Sequence, residues 1–103
     1  MQLKLDVEKY DELQEILIRE IMEQIRFQLV KGGVSGDALR DLTGEIAFSV
    51  ASTIDDTAGI EFEGTEVKPY LCFASDEEEL LHCGENSCTH ELVAGMVDQL
   101  FTQ

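Results

Sequence analysis

The chain has 103 residues, with 22 acidic side chains against 7 basic ones and a formal net charge of −15. That length fits one domain of roughly 100–150 residues and excludes a second core. Apolar residues make up 44% of the chain and proline occurs once, enough to bury a core against the self-repulsion, which excludes a globally disordered chain. Charge of this sign opposes direct contact with nucleic acid or an anionic membrane.

Lys4, Asp6, Glu8 and Lys9 stand where a secretory leader needs an uninterrupted apolar run. Glu15, Arg19, Glu20, Glu23 and Arg26 break up the longest apolar segment before it reaches the roughly 20 residues of a membrane span. The expectation is an intracellular, cytoplasmic protein, and its three cysteines would then be thiols or metal ligands rather than a disulfide framework.

Between Val7 and Lys31, Tyr10, Leu13, Leu17, Ile21, Ile25 and Leu29 recur every three or four positions and predict a helix. Asp6 or Asp11 can cap its start, and Lys31-Gly32-Gly33 supplies a left-handed stop. Ile16, Ile18, Met22, Phe27 and Val30 widen the apolar surface to about two thirds of the circumference. The polar remainder is a strip of Glu12, Glu15, Arg19, Glu23 and Arg26. A small core does not use that much apolar surface, so the pattern predicts a homodimer with Ile16, Leu17, Ile18, Met22 and Ile25 in the interface.

Leu39, Leu42, Ile46, Val50 and Ile54 also follow helical spacing, with Ser35 or Asp37 placed to cap. A strand pattern competes, because Ile46, Phe48 and Val50 alternate with Ala47, Ser49 and Ala51. The helix is preferred because its stripe is longer; it sets Phe48 opposite Leu42 and Ile46, among Asp41, Glu45 and Ser52. Asp55, Asp56 and Gly59 mark a turn, after which strands are expected at residues 60–63, 67–74 and 79–83. The turns are placed at Gly64-Thr65 and Asp76-Glu77, and Pro69 weakens the ladder locally. In this register Ile60, Phe62, Val67, Leu71, Phe73, Leu80 and His82 form the core face. Glu61, Glu63, Glu66, Tyr70, Cys72, Glu79, Leu81 and Cys83 lie opposite. Residues 84–87 lead into a last helix with Leu92, Val93, Met96, Val97, Leu100 and Phe101 on one stripe. The fold class expected for residues 1–103 is therefore a single compact α+β domain: helix, helix, three-stranded antiparallel meander, helix, with the helices packed on one face of the sheet.

Chemistry-bearing residues are few. Cys72, His82, Cys83, Cys88 and His90 are zinc-compatible ligands, but they contain only one compactly spaced pair, and the register turns His82 away from the two sheet cysteines. No metal and no cofactor are expected; Cys72, Cys83, Cys88 and His90 define the rival reading, a zinc- or thiol-dependent protein. Asn86 or Ser87 can cap the last helix and place Cys88 in its first turn. The helix terminus there lowers a thiol pKa while Glu85 and Glu91 oppose it. Ser87, His90 and Glu91 are the one cluster suggesting catalysis, without a nucleophile elbow, phosphate loop or HExxH near them. No catalytic residue is assigned.

Charge is more informative. Residues 1–40 carry six basic and eight acidic side chains; residues 41–103 carry Lys68 alone against fourteen acids. The predicted function is a small non-enzymatic interaction module of inhibitor, immunity, chaperone or adaptor type. It would present Glu61, Glu63, Glu66, Asp76, Glu77, Glu78 and Glu79 to a basic protein surface, with mimicry of nucleic acid as one specific form.

Overall fold

The computed structural model describes residues 1–101. The Asp6 side chain accepts the Lys9 N–H (3.1 Å) and opens α1, Val7–Lys31. At its far end Gly33 adopts φ +91° and the Val34 N–H returns to the Leu29 carbonyl (2.9 Å), the left-handed stop expected from the glycine pair. α2 spans Gly36–Ile54, with Ser35 in the cap position but making no side-chain capping bond, so residues 46–51 are helical and not a strand. α3 spans Thr89–Leu100.

The three helices pack on one another. Ile18 and Met22 of α1, Ala47 and Ala51 of α2, and Val93 and Met96 of α3 form the buried core, flanked by Ile25, Leu92, Val97 and Leu100. The face that α2 turns inward is made of small residues, Thr43, Ala47 and Ala51, with Gly44 beside them. They let the helix axes approach closely; a Cβ on Gly44 would lie only 3.2 Å from Val97 Cγ2. Close approach leaves no room for long side chains. Leu42, Ile46 and Val50 therefore sit at the margin of the contact, 36–38% exposed, where the sequence pattern had placed the centre of the buried stripe. In α1 the buried line is Tyr10, Gln14, Ile18 and Met22, one polar residue included.

The strands are short and form two sheets. β1 (Gln2–Leu5) runs parallel to β5 (Glu79–His82), which pairs antiparallel with β4 (Phe73–Ala74). β2 (Ile60–Phe62) and β3 (Thr65–Val67) form a separate hairpin. The architecture is α+β, but the expected three-stranded meander is replaced by a mixed sheet and a hairpin. Two physical causes account for this. Pro69 lacks an N–H, and residues 68–72 bond to a side chain rather than to a strand: Asn86 donates to the Pro69 carbonyl (2.9 Å) and accepts the Leu71 N–H (3.2 Å). β1 went unrecognised because all four of its residues are exposed and carry no core-facing alternation.

Register also differs. Phe73 stands opposite Leu81, not Leu80, because Ser75 bonds Glu79 across a turn in which Glu78 takes φ +59°. A one-residue slip exchanges the two faces of a strand. Leu81 is accordingly the buried residue of β5, whereas Phe62 (74% exposed) and Val67 (49%) are not core residues. In the hairpin, Glu63 and Gly64 both have positive φ, the two-residue turn that suits strand twist, one position earlier than expected. The helices do not share one sheet face either: α1 lies against β5, while α2 and α3 pack chiefly on the helices.

The molecule measures 45 × 38 × 20 Å with a radius of gyration of 15.4 Å. Among the described residues no helix is long and apolar enough to cross a membrane.

Candidate functional site

Asp55 follows the last turn of α2 and its side chain is 1% exposed. The carboxylate accepts four hydrogen bonds from the start of α3: the Ser87 hydroxyl (2.5 Å), the Thr89 hydroxyl (2.8 Å), the His90 N–H (2.7 Å) and His90 Nδ1 (2.6 Å). Burial alone raises this carboxyl; the bonds from the His90 backbone, Ser87, the His90 ring and Thr89 outweigh it and hold Asp55 below the ordinary carboxylate range. A negative charge fixed against a helix N-terminus is also favoured by the helix dipole. Cys88, the residue in the cap position of α3, makes no capping bond with its own side chain. Neither Asn86 nor Ser87 caps as expected; the cap is supplied across the fold by Asp55 and by Gln14 of α1, whose Oε1 accepts the Cys88 N–H (2.7 Å).

Asn86 extends the junction by donating to the Asp55 carbonyl (3.0 Å). Tyr10 joins from α1, its hydroxyl donating to the Leu71 carbonyl (2.7 Å) and its ring meeting Phe73 edge-on. Burial, with Cys83 and Cys72 adding to it, pushes the Tyr10 hydroxyl pKa up, so it stays a donor.

One face of this junction opens on a groove of about 670 Å3 between α2 and α3. Phe48, Val93, Ala94 and Val97 give it apolar lining; Asp41 and Glu45 and the Arg40–Asp98 ion pair (2.6 Å) give it charge. His90 also lines it, with Phe48 packed edge-on at 6.0 Å. Because Nδ1 is engaged with Asp55, the other ring nitrogen is the one left for a ligand.

An Asp–His pair beside a groove suggests acid–base work, but the remaining parts of an acyl-transfer site are not assembled. Among the described residues no hydroxyl or thiol hydrogen-bonds His90 Nε2. Three of the backbone N–H groups at the start of α3 are already taken, Cys88 by Gln14, His90 by Asp55 and Glu91 by the Cys88 carbonyl.

The predicted metal candidates stand apart in role. Cys83 donates to the Glu85 carbonyl, Cys88 accepts from Gln14, and His90 is held by Asp55. Among the described residues no group of three or more His, Cys, Asp or Glu side chains is arranged to hold a metal ion. The Cys88 thiol is raised, chiefly by burial and further by Glu91, Asp11 and Asp55, against a lowering contribution from Gln14.

The acidic candidates divide between two tips. Glu61, Glu63 and Glu66 are exposed on the β2–β3 hairpin, with Glu61 directly opposite Glu66 and Lys68 near Glu66 (3.5 Å). Asp76, Glu77 and Glu78 are exposed at the β4–β5 turn, while Glu79 is half-buried beside Lys4 (3.8 Å). Of the residues expected in a dimer interface, Ile18 and Met22 have no accessible surface and belong to the chain's own core; Leu17 and Ile25 are half-buried and Ile16 is exposed.

Sequence reasoning passed over Gln14 and gave Asp55 and Asn86 other roles, a turn and a helix cap. Gln14 had a signal, its four-residue spacing between Tyr10 and Ile18. Asp55 read as a turn residue because its side-chain partners lie 32 to 35 positions away. No family model, curated protein or solved structure matches this chain.

Proposed function

We propose that the chain is a non-enzymatic interaction module whose α2–α3 groove receives a basic, amphipathic segment of a partner protein. The observation that carries this reading is the composition of the groove: apolar lining from Phe48, Val93 and Val97 with Asp41 and Glu45 beside it. Phe48 is 50% exposed, and a large aromatic at a groove edge is the kind of anchor on which binding energy concentrates. Asp41 and Glu45, one helical turn apart, suit a lysine or arginine at matching spacing. The acidic tips at residues 61–66 and 76–79 extend the same field and would speed the approach of a basic partner.

Placing a photo-crosslinking side chain at position 48, with position 27 as an exposed control on α1, tests the assignment in cell extract. Position 48 alone is expected to capture a protein, and Glu45→Lys in the same chain should abolish the capture. Equal capture from both positions, or capture indifferent to Glu45→Lys, would overturn the reading.

A further inference from the structure

We infer that two copies of this chain associate through the outer flank of α2, the strip centred on Leu42, Ile46 and Val50. This is the flank of α2 away from Phe48, so the contact leaves the α2–α3 groove free and does not depend on the function proposed for it.

Three observations converge on this strip. Leu42, Ile46 and Val50 repeat every four residues and remain 36–38% exposed, because small side chains bring α2 too close to its neighbours for them to enter the core. Beside Ile46, a recess of about 300 Å3 at the α1–α2 seam is lined by Gln24, Ile25, Gln28 and Leu29 as well. Its five lining residues include no charge.

Charge selects the occupant. In a chain of net charge −15, a second copy can approach only where few acids face each other. Wheel geometry places Leu39, Leu42, Ile46, Ser49, Val50 and Thr53 together on this flank without an ionisable group among them. The recess beside it belongs to α1, in the part of the chain where six bases nearly balance eight acids. A basic partner finds no charge to pair with here, whereas an identical apolar strip packs against it without bringing acids together.

Surface area leaves room for one covered face. The chain exposes 6903 Å2, while a compact monomer of its 11.5 kDa mass exposes about 5,800 Å2 by the usual scaling. The excess is spread over the whole molecule, the open β2–β3 hairpin and β1 included, and exceeds the roughly 800 Å2 per partner that a standard interface covers. Antiparallel packing of α2 on its copy about a two-fold axis near Ile46 would make residue 42 face residue 50.

Sedimentation equilibrium of the full chain from low to high micromolar concentration tests the inference. The expected result is a species of twice the monomer mass, tightening as salt rises because repulsion between the acidic portions is screened. Ile46→Glu and Leu42→Lys, which introduce opposite charges, should each leave a monomer with unchanged far-UV helix signal. Ile46→Ala, which adds no charge that could disturb folding, should weaken association about tenfold. A wild-type chain that is monomeric throughout, a dimer that survives all three substitutions, or one that Phe48→Glu dissociates while Ile46→Glu does not, would overturn it.

Discussion

Asp55 is the residue on which the helical part of the chain closes. Its backbone ends α2 and its carboxylate starts α3, so a single buried group joins two helices that otherwise meet mainly through apolar contact and the exposed Arg40–Asp98 ion pair. The helix start also gains from Gln14 and, through Asn86, the irregular segment 68–72 is tied to the same point. Replacing Asp55 by Asn puts an amide donor against groups that are themselves donors, and should cost about 2–4 kcal/mol at neutral pH in a denaturant titration. The acid dependence follows from the direction of the shift. Asp55 is held below its unfolded-state value of about 3.8, so its contribution is complete above that value and is lost as pH falls through the lower folded value. Wild-type stability should therefore fall steeply below about pH 4, and the Asp55→Asn chain should lack that component when the two acid titrations are compared.

At the scale of the element, α2 shows how side-chain size overrides hydrophobic pattern. A stripe of Leu42, Ile46 and Val50 is the stronger apolar signal, yet Thr43, Ala47 and Ala51 occupy the core, because close helix packing against Val93 and Met96 admits only small groups. Phe48 is at the opposite edge, half-exposed against His90. Phe48→Ala should thus lower stability by less than about 1 kcal/mol, whereas Met22→Ala, which empties a fully buried site in α1, should cost about 2–5 kcal/mol in the same chemical denaturation assay. A large loss at Phe48 would contradict the helical assignment of residues 46–51, since only a strand would bury that ring with Ile46 and Val50.

Across the whole molecule, charge and shape pull against compactness. The radius of gyration of 15.4 Å exceeds the roughly 13 Å of a compact chain of this length, and the hairpin of β2 and β3 brings Glu61 and Glu66 face to face. Like charges directly opposed across a hairpin destabilise it. Screening should relieve this: raising ionic strength from about 0.01 to 0.15 M shortens the Debye length from about 30 to 8 Å. The thermal midpoint, measured by circular dichroism at low protein concentration so that self-association does not contribute, is expected to rise by several degrees.

Local sequence determined the three helices, the glycine stop at Gly33 and the acidity of residues 41–103, and left the first cap open between Asp6 and Asp11, of which the structure uses Asp6. The same local rules located β5 within a residue and the hairpin turn within one position. Pairing lay beyond them. Whether β5 accepts β1 in parallel, whether Asn86 replaces a strand along residues 68–72, and whether Asp55 reaches the start of α3 are decided between groups up to roughly 80 residues apart, where no local spacing constrains the outcome. The groove between α2 and α3 belongs to that second class. Phe48, Glu45 and His90 were each legible as single residues; what joins them is the close packing of two helices, set by the small side chains on α2 and the buried carboxylate at its end.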